Sequence, residues 1–95
     1  MIEQKYKMIG VKNPFDRASL VLSEAASSGR EGIKFISKTE GRTRNAVYGI
    51  DLTRIEIQDK SGYYNMSVLS ETEENLQRAK QTLQRLIGIS LEEVK

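Results

Sequence analysis

Cysteine and histidine are both absent from this chain of 95 residues. Without cysteine there is no disulfide, no thiolate nucleophile and no cysteine-ligated zinc site. Without histidine the commonest general base and the commonest metal ligand are missing, which leaves carboxylates, lysines, tyrosines and hydroxyls as possible catalytic groups. We therefore expect a protein that is not an enzyme and that holds neither a metal ion nor an organic cofactor.

Long apolar runs are missing as well, since no stretch approaches the ~18 apolar residues of a membrane span. The segment from Met1 to Lys5 also lacks the basic and then apolar pattern of a secretory signal. Proline occurs once, at Pro14, and no repeat, low-complexity tract or linker divides the chain. We expect a cytoplasmic protein with no membrane association and a single domain over residues 1–95.

Charge is unevenly spread, and the middle of the chain is the basic part. Between Arg30 and Arg54 there are six basic residues and three acidic ones, although the net charge of the whole chain is only +2. From Glu71 to the end there are four basic residues and five acidic ones. A basic middle segment is expected where one face of a protein meets phosphate, and equally where a charged surface is simply solvated.

The first half of the chain predicts a strand and then a helix. Residues Lys5 to Val11 contain β-favouring residues before a turn signal, which indicates a strand. Residues Asp16 to Ser27 have helical periodicity, with Asp16 as the cap and Ser28-Gly29 as the end. The short apolar run from Ile33 to Ser37 fits a strand or a helical turn, and we favour helix.

The second half predicts a β-hairpin followed by a helix. Arg54 to Gln58 and Tyr63 to Leu69 both alternate apolar and polar residues across a turn at 59–62. Ser70 and Glu73 have the spacing of a capping box, which predicts that the helix starts there. Its apolar stripe consists of Leu76, Ala79, Leu83, Leu86 and Ile87. Gly88 is placed to end this helix.

Two strings in the basic middle segment are the most informative motifs. They read Gly41-Arg42-Thr43-Arg44-Asn45-Ala46-Val47 and Thr53-Arg54-Ile55-Glu56-Ile57. Together with the closing helix they resemble a KH domain, most of all the KH domains of small-subunit ribosome-assembly factors. The resemblance covers about residues 35–88. The sequence departs from the family at Lys38-Thr39-Glu40-Gly41, where the first glycine of the Gly-x-x-Gly loop is missing.

The resemblance implies a type I KH-like α+β fold, in which about three helices pack on one face of a three-stranded antiparallel sheet. It also implies a non-catalytic module that binds single-stranded RNA, with loop groups on the phosphates and apolar side chains in or behind a groove for the bases. The residues that it assigns to RNA binding are Lys38, Gly41, Arg42, Thr43, Arg44, Ile55 and Ile57. A ribonucleoprotein assembly is the expected setting.

Several alternatives stay open. A second loop, Gly29-Arg30-Glu31-Gly32, has both glycines and is a weaker candidate for the nucleic-acid loop. A loop without its first glycine is also compatible with an adaptor that binds protein, for example through a strand edge. The string Asn13-Pro14-Phe15-Asp16-Arg17-Ala18-Ser19 is faintly similar to HPr-type phosphocarriers, but the histidine that accepts the phosphoryl group in those proteins is absent.

Overall fold

The computed structural model describes residues 1–59 and 62–94. Over these residues the chain forms six strands, two α-helices and one short 3₁₀ turn. The strands are β1 (Ile2–Ile9), β2 (Ile33–Thr39), β3 (Asn45–Ile50), β4 (Thr53–Gln58), β5 (Met66–Ser70) and β6 (Ser90–Val94). The helices are α1 (Pro14–Ser27) and α2 (Glu73–Ile87), and the 3₁₀ turn spans Arg30–Gly32.

The strands join into one sheet in the order β2-β3-β4-β5-β1-β6. Each strand is antiparallel to its neighbours. The expected three-stranded sheet with about three helices is therefore wrong, because the part of the chain that the structure describes holds twice that number of strands and only two α-helices. A small α+β architecture is what the chain has.

Alternation along the strands sets the core on one face of the sheet. In β4 the side chains of Ile55 and Ile57 are wholly buried, whereas that of Arg54, which points to the other face of the sheet, is exposed. The apolar residues of the other strands pair on that same side, and α1 and α2 pack over them. We call this side the helix face. The other side, the open face, carries charged residues such as Lys7 and Arg54.

Helix α1 confirms the helix predicted for this segment but starts earlier. The N-terminal flanking residue is Asn13, in a left-handed conformation, and Pro14 occupies the first turn, where its missing N–H costs nothing. Asp16 therefore lies inside the first turn and is not the cap. Four apolar residues of α1 are buried, namely Phe15, Ala18, Leu22 and Ala25.

Helix α2 also confirms a predicted helix, but its capping residue differs. Thr72 is the cap, and its side chain accepts a hydrogen bond of 3.1 Å from the Asn75 amide. Ser70 ends β5 instead, where it is buried with its hydroxyl 3.1 Å from that of Thr53. The predicted capping box is wrong because sheet pairing of Ser70 with Ile2 extends β5 to the position expected for the cap.

Gly88 ends α2 in the left-handed region, with φ of 75°. We expect Gly88→Ala to lower the free energy of unfolding by about 1 kcal/mol, because a Cβ is disfavoured in this conformation. The Cβ would meet nothing closer than 3.7 Å, so the cost is conformational and not steric. Urea unfolding measures it, and Gly41→Ala, with no left-handed φ, is the control. Equal effects of the two changes would contradict the expectation.

The middle of the chain differs most from expectation. The run that includes Ile33 to Ser37 is strand β2, not a helical turn, and the segment after Arg44 is strand β3, not the helix of a KH domain. Strand β6 was not predicted at all. The β4–β5 hairpin is confirmed, although residues 60 and 61 of its predicted turn lie outside the described residues. No helix among the described residues is long and apolar enough to span a membrane.

Candidate functional site

The predicted RNA-binding loop lies in a β-hairpin. Residues 40–44 connect β2 to β3, so no helix begins after Gly41. The exposed residues Gly41, Arg42 and Thr43 form the tip of this hairpin. A KH-type phosphate clamp needs backbone N–H groups at a helix start, and this hairpin does not supply that arrangement. Lys38 lies at the end of β2, where its amine is 3.3 Å from the carboxylate of Glu40.

Arg44 is held by contacts within the protein. Its guanidinium donates to the Asp59 carboxylate at 2.6 and 2.8 Å and lies 3.0 Å from the carboxylate of Asp16. Its Cζ atom also lies 4.7 Å from the ring centre of Phe15. The hydrogen bond to Asp59 raises the already high pKa of Arg44. Two carboxylates thus neutralise Arg44 and tie the start of β3 to α1 and to the end of β4.

The two isoleucines expected in or behind a groove for bases lie in the core. Ile55 and Ile57 are both 0% exposed and point to the helix face of the sheet. Nucleic-acid bases have no access to either side chain in this structure. The sequence signal, alternation in β4, correctly indicates burial of one face, but it does not distinguish a groove from a core.

The alternative glycine loop is also structural. Gly29 and Gly32 both have positive φ, and the 3₁₀ turn between them leads directly into β2. The carboxylate of Glu31 in this turn lies 2.9 Å from the guanidinium of Arg85 on α2. As with the first loop, a strand follows and not a helix, so the turn resembles the KH arrangement in glycine spacing alone.

The tyrosines differ in accessibility. Tyr48 is buried, with its hydroxyl 2.8 Å from the Ser23 hydroxyl. Tyr63 is 64% exposed and packs edge-on against Tyr64, with ring centres 5.1 Å apart. The amine of Lys5 lies 4.7 Å from the ring centre of Tyr64. Tyr63 is therefore the tyrosine best placed for stacking on a ligand.

A surface pocket with a volume of about 340 Å³ is open to solvent. Its wall includes Lys7, Asn13, Gln58, Asp59 and Asn65. The described residues of this lining supply one lysine, one carboxylate and three amides, and they contain no hydroxyl or thiol that could act as an activated nucleophile. Among residues 1–59 and 62–94, no three carboxylates converge to hold a metal ion.

The most unusual surface is strand β2. Within the described residues β2 pairs with β3 alone, so its outer side has unpaired backbone N–H and C=O groups. Every residue of β2 except Ile33 is exposed, including Phe35 at 52% and Ile36 at 50%. We call this strand, with its outer backbone groups, the β2 edge. Two large, half-exposed apolar side chains at consecutive positions of an edge strand are the surface feature that calls for an explanation.

Phe35 and Ile36 point to opposite faces of the sheet, as consecutive residues of a strand do. The pairing with β3 shifts between Phe35 and Ser37, so Ile36 is the extra residue. Phe35 packs edge-on against Tyr48 on the helix face, with ring centres 5.8 Å apart. The Cδ1 atom of Ile36 lies over Gly49 on the open face, 3.4 Å from where a Cβ of that glycine would be. The β2 edge therefore has an apolar group on each side of its unpaired backbone.

Charge differs between the two borders of the sheet. The β2 edge carries Lys34 and Lys38 and no acidic residue. Strand β6 forms the opposite border and carries Glu92 and Glu93, both exposed. We call this strand, with its outer backbone groups, the β6 edge. The basic segment around β2 is evident in the sequence, but the exposure of Phe35 and Ile36 is not, because an apolar run normally indicates burial.

Comparison with protein-family models, with curated proteins and with solved structures gave no match to this chain.

Proposed function

We propose that this chain is a non-catalytic protein-binding module that takes an extended segment of another polypeptide along the β2 edge. The proposal rests on one observation: the outer backbone N–H and C=O groups of β2 are unpaired among the described residues, and the half-exposed side chains of Phe35 and Ile36 lie on the same strand. Strand addition at such a border satisfies the backbone groups, and side chains beside it provide selectivity.

Apolar contacts supply part of the binding free energy. Phe35 and Ile36 each have about half of their surface left to bury. Full burial of a side chain of this size contributes about 1.5–3 kcal/mol, so covering the remaining half of each contributes roughly 1 kcal/mol per residue. Leu20 is a third exposed apolar residue, on the helix that packs against β2.

The lysines of the β2 edge determine which segments it accepts. Lysine and a bulge on a border strand both discourage pairing with unsuitable chains. Lys34 forms no ion pair with any described residue, and Lys38 contacts only the exposed Glu40. An acidic extended segment would neutralise both lysines, whereas a basic segment would be repelled.

Single-stranded RNA is the rival partner, because Lys34, Phe35 and Lys38 also combine charge with an aromatic ring. Three features make protein the better account. The guanidinium of Arg44 is already paired with two carboxylates, Ile55 and Ile57 are inaccessible, and the border exposes backbone groups that a polypeptide satisfies directly. RNA binding is therefore kept as an outcome of the test.

The test is fluorescence-anisotropy titration with three labelled probes. One is a short synthetic peptide that alternates glutamate with valine, the second has lysine in place of glutamate, and the third is a mixed-sequence single-stranded RNA. We expect the acidic peptide alone to bind. We expect binding to weaken at least tenfold in the double variant Phe35→Ser, Ile36→Ser, since the combined loss of about 2 kcal/mol from the two side chains exceeds the 1.4 kcal/mol of a tenfold change.

Ile9→Ser is the matched control. Ile9 is an exposed isoleucine of β1, which is separated from β2 by three strands of the sheet. This variant should bind the acidic peptide as the wild type does. Salt-sensitive RNA binding without peptide binding would overturn the proposal, and so would equal binding of the acidic and basic peptides. Circular dichroism of each variant verifies that it is folded.

A further inference from the structure

We infer that the segment received by the β2 edge is the β6 edge of a second copy of this chain, so that copies associate head to tail. This inference rests on the proposed use of the β2 edge and names its partner. Three observations support it: the directions of the two edge strands, the faces on which their side chains lie, and the charges of those side chains.

Strand direction is the first argument. Each neighbour in the order β2-β3-β4-β5-β1-β6 is antiparallel, so the first and the last strand run in opposite directions. A second copy placed beside the first in the same orientation therefore presents β6 antiparallel to β2. The antiparallel pattern continues across the junction, and the helices of both copies stay on one side of the extended sheet.

The charged side chains of the two borders match by face. Lys34 pairs with Gly49, and Glu92 pairs with Lys7, which puts both Lys34 and Glu92 on the open face. Among the described residues, neither has an oppositely charged atom within 4.0 Å, and Glu92 has Lys7 directly across the β1–β6 pair as its neighbour within the chain. Oppositely charged residues directly across a strand pair stabilise the pairing, and like charges destabilise it.

The same register also aligns apolar groups. In an antiparallel pairing with Glu92 opposite Lys34, Leu91 lies opposite Phe35. Leu91 belongs to the helix face, as its pairing with the buried Met8 shows, and the ring of Phe35 packs against Tyr48 on that face. Leu91 is only 4% exposed and its N–H donates to Gln84 Oε1 at 2.9 Å, so the junction places Phe35 at the border of the apolar layer and requires Gln84 to release the Leu91 N–H. Pairing of two β2 edges offers no such match, since it brings lysines together.

Sedimentation velocity of the full chain over a series of rising concentrations tests the inference. The mean mass should rise with concentration without levelling at a dimer, because a head-to-tail contact does not close on itself. The described part of β6 is short, and so small a contact gives weak association. Because the charges are at the surface, higher salt should weaken association further.

Charge reversal makes the test specific. Lys34→Glu and Glu92→Lys each place like charges at the junction, and each is expected to raise the concentration for half-association about tenfold. An equimolar mixture of the two variants restores opposite charges at every junction and should recover association. A dimer through two β2 edges predicts the reverse for the first variant, because Lys34→Glu removes a contact between lysines and strengthens pairing.

The two proposals fail in different ways. A chain that stays monomeric at every concentration but still binds the acidic peptide overturns the second-copy inference and leaves the proposed function standing. Association that ignores both charge reversals also overturns the inference. Loss of peptide binding together with monomeric behaviour overturns both.

Discussion

Replacing Ile57 with alanine is expected to lower the free energy of unfolding by about 2–5 kcal/mol. Ile57 is 0% exposed and lies on the helix face of β4. Together with β5, β4 forms the centre of the sheet. Truncation removes buried methyl groups and leaves a cavity that neighbours fill only in part. A chain of this size has a total stability of about 5–15 kcal/mol, so the variant should be visibly destabilised.

Urea unfolding measures this effect, with Ile57→Val as a milder change that should cost about 0.5–1.5 kcal/mol. Ile36→Ala is the matched control, because the same side chain at the β2 edge is half exposed. We expect that control to change stability by less than about 1 kcal/mol. If Ile57 lined an accessible groove for bases, Ile57→Ala would resemble the control, and that result would contradict the structure.

The elements that the sequence predicts well are those whose periodicity matches a single buried face. The helix stripe of α2 and the alternation of β4 are both of this kind, and the structure buries Leu76, Leu83, Ile55 and Ile57 as expected. Gly88 ends α2 as predicted. In these elements local pattern and tertiary packing agree, so either one is enough to identify them.

The elements that it predicts badly have their periodicity disturbed. In β2 the bulge at Ile36 breaks the alternation, so the run from Ile33 to Ser37 shows no period of two. In β3 Val47 is buried on the open face while Ala46 and Tyr48 are buried on the helix face, which gives a continuous apolar run. Such a run fits helix or strand equally, and the similarity of the preceding residues Arg42 and Arg44 to a KH loop favours helix, which is wrong.

Only part of the candidate site can be predicted from the sequence. The basic character of the segment around Lys34 and Lys38 is visible in the sequence. That β2 lies at the border of the sheet depends on the strand order, which arises from contacts between distant residues such as Ile2 with Ser70. Exposure of Phe35 and Ile36 follows from that order. No local pattern distinguishes an apolar residue at a border from one in the centre of a sheet.

Replacing Tyr6 with phenylalanine is expected to raise stability at neutral pH. Tyr6 is 0% exposed, and its hydroxyl has no hydrogen-bond partner among the described residues. A buried and unsatisfied hydroxyl costs about 1–3 kcal/mol, and phenylalanine keeps the ring without that cost. We expect Tyr6→Phe to gain about 1 kcal/mol in urea unfolding at pH 7. A variant less stable than the wild type would show that the hydroxyl has a partner, such as a buried water.

The advantage of Tyr6→Phe should grow in alkaline solution. Burial, and then the charges of Glu93 and Glu73, raise the pKa of Tyr6 from 10.0 to about 12. Above pH 10 the unfolded chain releases this proton while the folded chain keeps it, so the stability that the neutral phenol contributes is lost as pH rises towards 12.

The phenylalanine variant has no such proton to lose. Both glutamates are exposed and their influence is screened, so we expect the gap between variant and wild type to widen by at most about 2 kcal/mol between pH 10 and pH 12. Lysine titration affects both proteins alike and cancels in the difference. Unfolding curves whose separation stays constant from pH 7 to the alkaline limit would show that Tyr6 titrates at its ordinary pKa, and that its phenol has access to solvent.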